Sequence, residues 1–174
     1  MLINGAGGGT GAFALQLAAA SGIDVTGVDN AGKLDFMRSL GAAEVIDYRA
    51  EDFTRTGPYD LIIDLVARRS VFAYRRALAP GGTYLIVGGT TRALLRVVTG
   101  GALIGAMTGR RLGVLAVRPG PAQFSPLARR CLAGDVRIHI DRVFPLEQVP
   151  EALTYVGAGH ALGKVVVTAR AGAD

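Results

Sequence analysis

Leu2-Ile3-Asn4-Gly5-Ala6-Gly7-Gly8-Gly9-Thr10-Gly11 stands at the head of this 174-residue chain. A short apolar run ends in a glycine-dense turn, which feeds directly into Ala12-Phe13-Ala14-Leu15-Gln16-Leu17-Ala18-Ala19-Ala20, a segment of strong helix formers. Strand, tight turn and helix in that order make a seat for a pyrophosphate. Glycine lets the backbone turn sharply and lets phosphate approach it closely. The helix then presents its unpaired N-terminal amides and the positive end of its dipole. Three glycine registers overlap: Gly5, Gly8 and Gly11; Gly7 and Gly9 with Ala12; and Gly5, Gly9 and Gly11. None is specific alone, and a glycine-rich loop without a ligand is the alternative.

The length suits one domain or slightly more, and 50% hydrophobic residues support a substantial core. A single cysteine, Cys131, excludes an intrachain disulfide and fits a reducing, cytoplasmic setting. No charged start precedes a long apolar run, so no signal peptide is read. The most membrane-like stretch, Val97 to Gly109, is too short to span a bilayer, which needs roughly 20 residues. The net charge is +5, and the 19 basic residues include only two lysines, Lys33 and Lys164. The arginine pairs are scattered and lack interleaved aromatics, which argues against nucleic acid as a partner.

Downstream, the pattern repeats. Asp24 to Asp29, Ala43 to Tyr48, Tyr59 to Val66 and Thr83 to Val87 read as strands. Helices are expected over Lys33 to Leu40 and Ser70 to Leu78, the latter stopped by Ala79-Pro80-Gly81-Gly82. Alternating strands and helices with short loops predict a doubly wound parallel α/β sheet with right-handed crossovers, a Rossmann fold. Ligand then binds at the C-terminal strand ends: Asn4-Gly5, Asp29, Asp47-Tyr48, Asp64-Leu65 and Val87-Gly88. Asp29, 18 residues after Gly11, stands where an acidic side chain meets ribose hydroxyls, with a helix-capping aspartate as the alternative. Thr90 to Arg111 is expected to be helical around Leu94 to Val98 and flexible afterwards, and Leu112 to Val117 suggests a sixth strand.

Pro119-Gly120-Pro121 is the candidate boundary between a dinucleotide-binding unit, residues 1–120, and an α+β tail, residues 121–174. In the tail, Phe124 to Ala133 reads as a helix, Val136 to Val143 as an alternating strand, Leu146 to about Val156 as a helix and Gly163 to Thr168 as a terminal strand.

These pieces, with Ser39-Leu40-Gly41-Ala42, Val45-Ile46-Asp47-Tyr48, Pro80-Gly81-Gly82-Thr83, Asp141 to Leu146 and Gly159 to Val167, resemble the medium-chain dehydrogenase/reductase superfamily, in particular its zinc-free quinone oxidoreductase-like branch. The resemblance implies a nicotinamide dinucleotide lying across the sheet. Gly7, Gly9 and Thr10 would contact pyrophosphate within a turn formed by Gly5, Ala6, Gly8 and Gly11. Asn30, beside Asp29 and Lys33, would face the adenosine ribose end, and Tyr48 the adenine. Asp64, Leu65, Val66, Val87 and Gly88 would border the nicotinamide. Hydride would pass between that ring and a quinone, enone or similar activated carbonyl. The alternative function is a dinucleotide-binding module or fragment without turnover of its own.

Three features depart from the family pattern. Asp29-Asn30 replaces a small residue followed by serine, so the local charge favours NAD while the resemblance implies NADP. Ala67-Arg68 stands where a glycine often follows the fourth strand. The resemblance also implies an upstream substrate domain preceding Met1, which the tail from about Gln123 would complete; without it, exposed apolar strand edges favour association into a homo-oligomer or poor solubility. Cys131, His139 and His160 are too widely spaced for a zinc ligand set. A short-chain dehydrogenase is excluded because no lysine lies four residues after any tyrosine. No residue is assigned as general acid; Tyr48 and Asp64 are candidates by position only.

Overall fold

The computed structural model describes residues 1–116 and 120–169. In order these form β1 (Leu2–Asn4), α1 (Gly11–Ala20), β2 (Thr26–Asp29), α2 (Leu34–Ser39), β3 (Glu44–Asp47), β4 (Tyr59–Asp64), α3 (Val71–Ala77), β5 (Leu78–Ile86), α4 (Thr91–Thr108), β6 (Arg111–Val114), α5 (Pro121–Leu132), β7 (Ile140–Pro145), α6 (Val149–Gly157) and β8 (Lys164–Thr168). The first six strands make one parallel sheet in the order β3-β2-β1-β4-β5-β6. This is the doubly wound Rossmann α/β arrangement expected from the alternating pattern.

Strand alternation explains why both sheet faces carry a core. Leu2 points into a cluster with Val71, Tyr74 and Ala77 of α3 and Ala93, Val97 and Ile104 of α4. Ile3 points the other way, to Leu15 of α1 and Met37 of α2. Both are fully buried, and each contributes about 1.5–3 kcal/mol of hydrophobic stabilisation. Leu61, Ile63 and Leu85 lie outside both clusters and are only half-buried, so cover over β4 and β5 is incomplete.

Three local expectations are corrected. The flexible stretch expected after Val98 is instead part of the continuous helix α4. Thr90 Oγ1 accepts from the Ala93 amide at its start, and Gly109, at φ 66°, closes its end. Gly100 and Gly101 are contact points: a Cβ on Gly100 would lie 3.0 Å from Val71, and one on Gly101 would strike the Leu112 carbonyl. Second, β5 starts at Leu78, with Ala79 to Gly82 bulged out, because Leu78 pairs with Tyr59 and Thr83 with Leu61. Third, β7 begins at Ile140, not Val136. Gln16 accepts from the Arg137 amide at 2.8 Å and donates to the Arg137 carbonyl at 3.0 Å, so a side-chain amide occupies the groups a strand partner would use.

The sixth strand is present as Arg111–Val114; the expectation for Val117 and the boundary residue Pro119 fall outside the described residues. Among the described residues β7 and β8 pair only with each other, in parallel. The tail is thinly packed: α5 has no buried residue, and Leu132, Leu153 and Val143 stand exposed. Among the described residues no helix is long and apolar enough to cross a membrane.

Ala67, immediately after β4, has φ 56°. It occupies the left-handed region at the position where the family pattern favours glycine, and an alanine there costs about 1 kcal/mol. Ala67→Gly is therefore expected to raise stability by roughly 0.5–1 kcal/mol in urea denaturation, less the entropy glycine adds to the unfolded chain.

Candidate functional site

The strand order reverses at β1 and β4, and the glycine turn leaves the C-terminal end of β1 at this switch point. The turn is held from below: the amides of Gly5 and Ala6 both donate to the Val28 carbonyl, at 2.8 and 3.1 Å. Gly8 donates to Gly5 O, and Ala12 to Gly8 O, which starts α1. Thr10 caps α1 without a side-chain hydrogen bond. Among the described residues, the amides of Gly9, Thr10 and Gly11 find no hydrogen-bond partner. They are the donors that an anion at a helix N-terminus satisfies.

The glycines differ in what they permit. A Cβ on Gly11 would collide with the Gly5 carbonyl and the Ala6 backbone, so close packing of helix against turn requires its absence. Gly5 has φ 86°, and its Cβ would press on Val66 and Leu65. Gly7 is covered by Lys33 and Asp29, whereas a Cβ on Gly8 would meet only Gly5 O, at 3.5 Å.

At the end of β2, Asp29 organises the neighbouring residues. Its Oδ2 accepts from the Gly7 amide at 3.1 Å; its Oδ1 accepts from the Asn30 amide at 2.9 Å and Asn30 Nδ2 at 3.2 Å. Lys33 Nζ lies 3.6 Å from Oδ1, and both side chains are nearly buried. The glycine turn and the candidate ribose end are thus joined by one carboxylate. Asn30 Oδ1 accepts from the Gly32 amide, and its Nδ2 reaches the Gly159 carbonyl at 3.3 Å. Tyr48 lies at the rim, with the Arg49 guanidinium 5.7 Å from its ring.

Asp64, at the end of β4, is fully buried. Oδ1 accepts from Asn4 Nδ2 and from the amides of Val66 and Ala67; Oδ2 accepts from Tyr84 Oη at 2.9 Å. This carboxylate fixes the turn after β4 and presents no surface to a ligand. Leu65 is half-buried and Val66 exposed beside Gly5, while Val87 and the exposed Gly88 follow β5. Tyr84 stacks on Tyr74 with centroids 4.2 Å apart. Burial, then the neighbouring Asp64 charge, raises both tyrosines above their ordinary value.

The tail brings in residues that the motif reading did not assign. Gly163 donates to the Gly7 carbonyl at 3.1 Å. A Cβ on Gly9 would lie 3.2 Å from Lys164 Nζ. Their sequence signal was thin: Lys33 and Lys164 are the only lysines in the chain, and both arrive at the glycine turn. Cys131 and His139 line one groove beside α2, and His160 packs edge-on against Tyr155. Among the described residues no three His, Cys, Asp or Glu side chains come together in a way that could hold a metal.

Two predictions follow from this geometry. Gly11→Ala should lower stability by several kcal/mol in urea denaturation, while Gly8→Ala stays within about 1 kcal/mol. The second concerns Tyr84 and Tyr74. Their folded-state pKa values lie above the ordinary 10, so the stability tied to the neutral phenols is complete below that pH and declines as pH rises beyond it. Tyr84→Phe should flatten this alkaline decline, and cost about 1–3 kcal/mol at neutral pH by leaving Asp64 Oδ2 without its donor.

The family model described as zinc-binding dehydrogenase matches residues 40–167. The chain is 34% identical over 188 residues to mouse (Mus musculus) mitochondrial NAD(P)H oxidoreductase RTN4IP1, covering 95% of this chain and 47% of that protein. It is 28% identical to trans-enoyl reductase pgmF of Aspergillus terreus, covering 96% of this chain and 51% of the relative. The quinone oxidoreductase structure from Coxiella burnetii superposes with a TM-score of 0.82 at 28% identity, covering 97% of this chain and 52% of that one. The chain therefore spans about half the length of these relatives. A Rossmann sheet with a glycine turn at its switch point, together with a family match over most of its length, makes this chain a member of the zinc-binding dehydrogenase family within the medium-chain dehydrogenase/reductase superfamily.

Proposed function

We propose that the chain is the dinucleotide-binding half of an NAD(P)H-dependent oxidoreductase acting on a quinone, enone or related activated carbonyl. The observation that carries this reading is the glycine turn at the switch point, where the amides of Gly9, Thr10 and Gly11 have no partner among the described residues, beside the Asp29–Lys33 pair. These residues fit a nicotinamide dinucleotide: the turn for the pyrophosphate, Asp29, Asn30 and Lys33 for the adenosine ribose, Tyr48 for the adenine side, and Leu65, Val66, Val87 and Gly88 along the nicotinamide path. When bound, the cofactor supplies the hydride. The chain's own part is to bind and orient. Asp64 holds the β4 turn rigid from beneath, and Asp29 ties the glycine turn to the ribose end.

Asp29 favours NADH. Its carboxylate can accept from a 2′-hydroxyl and repels a 2′-phosphate, although Lys33 at 3.6 Å offsets part of that repulsion. The names of the relatives, an NAD(P)H oxidoreductase and a trans-enoyl reductase, support the reaction class.

The thinly packed tail favours a second element of the reading. A parallel pair of strands is rarely stable with open faces, and β7 and β8 leave Ile140, Val143 and Val167 exposed. The residues belonging to the other half of the relatives' length would cover them and supply the substrate pocket. The chain alone then binds cofactor with negligible quinone reduction.

Fluorescence titration of the purified chain with NADH and NADPH tests this directly. NADH is expected to bind more tightly, and Asp29→Ser should shift the ratio towards NADPH by about tenfold, on the order of 1.4 kcal/mol. Failure to bind either dinucleotide would sink the reading, and quinone turnover by the chain alone at ordinary enzymatic rates would sink its second element.

A further inference from the structure

We infer that the outer face of α4 is a membrane-docking surface, which lays this side of the sheet on an anionic lipid bilayer without crossing it, whatever the glycine turn binds.

α4 packs inward through Ala93, Val97, Gly101 and Ile104, which are buried. The opposite face of a helix on the outside of a domain ordinarily carries charge. Here it carries Leu95, Val98, Ala102, Leu103, Ala106 and Met107, all exposed, with Leu103 at 60% and Met107 at 75%. From Val97 to Gly109 the chain has no charged side chain. On the neighbouring helix α3, Phe72 is 65% exposed and follows Val71, the residue that meets Gly100 of α4. A run of exposed apolar side chains along one helix face marks a surface that meets another apolar phase.

Charge identifies that phase. The 70 residues from Leu65 to Gly134 contain eleven arginines, no lysine and not one Asp or Glu. The other 104 residues hold eight basic side chains against all 14 acidic ones, so the net +5 is a difference between +11 and −6. α3, α4, β6 and α5 all fall within the positive stretch. Arg92 is exposed in the first turn of α4, Arg111 follows its end, and Arg68 and Arg75 are exposed before and within α3. Among the described residues none of these four pairs with a carboxylate. Arginines around apolar side chains suit anionic headgroups: leucines and arginine stems enter the interface while guanidinium groups meet phosphate. A second copy fits poorly, because it would set one carboxylate-free surface against another. A nucleic acid would take the charges and leave Leu103 and Met107 in water. α4 is not long and apolar enough to cross a bilayer, so it lies along the surface. Because α4 starts at Thr91, shortly after Gly88, docking brings the β5 end of the candidate cleft to the lipid.

Co-sedimentation of the whole chain with vesicles tests this, using phosphatidylcholine alone and a two-to-one mixture with phosphatidylglycerol. Binding is expected on the mixture only, weakening as salt rises. Leu103→Ser with Met107→Ser should weaken it by at least about tenfold at an unchanged thermal midpoint. Arg75→Gln with Arg92→Gln should do the same, each arginine being worth about fivefold at an anionic surface. Leu146→Ser with Leu153→Ser, exposed apolar positions of the tail, should leave binding unchanged. If the Leu103 and Met107 pair lowers the midpoint, the arginine pair decides. No binding to the mixture overturns the inference, as does equal binding to phosphatidylcholine alone or equal loss from the tail pair. A dimer in light scattering that Leu103→Ser with Met107→Ser disperses also overturns it, since a second copy then covers the face.

Discussion

A single carboxylate with four donors around it ties the middle of this sheet together. Asp64 accepts from the Asn4 side chain on β1, from Tyr84 on β5, and from the amides of Val66 and Ala67 that follow its own strand. A fully buried carboxylate survives only when its oxygens are satisfied, and here the satisfaction crosses three adjacent strands. Asn4 is the last residue of β1, so the same interaction fixes where the glycine turn begins. Ala67 is forced to φ 56° just where the chain bends under the carboxylate, and Arg96 reaches in to the Ala67 carbonyl at 2.7 Å. The strain at Ala67 and the order at Gly5 are two consequences of one network.

The second carboxylate, Asp29, works on the opposite side of the turn and at its surface. It bonds Gly7 from one oxygen and Asn30 from the other, with Lys33 alongside. The glycine turn is therefore clamped between Asp29 and the β4 turn, and among the described residues the amides of Gly9, Thr10 and Gly11 have no hydrogen-bond partner. Rigidity beneath and unsatisfied donors above are what an anion site needs, because the donors are then in place before the ligand arrives.

Much of this was legible in the order of residues. The glycine turn, the alternation of strands with helices and the acidic end of β2 express local rules of period, turn chemistry and spacing, while the glycine-like position at Ala67 comes from the family resemblance. The errors were also physical. The stretch after Val98 reads as flexible, yet α4 runs on through Gly100, Gly101 and Gly105, whose missing side chains let the helix close on Val71, Leu112 and Arg110. The alternation of Val136, Ile138 and Ile140 promised a longer strand, but Gln16, 121 residues earlier, takes the backbone groups of Arg137. By position Asp64 is as much a structural residue as a cofactor contact, and its burial among four donors favours the structural place.

The sequence by itself determined the class of fold and the location of the turn, since both follow from periodicity and from glycine's lack of a side chain. Tertiary structure decided which charges stand at that turn. Lys33 is separated from Asp29 by one turn of chain, and their pairing at 3.6 Å could be guessed. Lys164 is separated from Gly9 by nearly the whole molecule. No local rule brings them together; only the path of the tail, pinned by Gln16, Asn30 and the Gly7 carbonyl, does so. Charge interactions depend on distance in space, and distance in space between the ends of a chain is settled by packing.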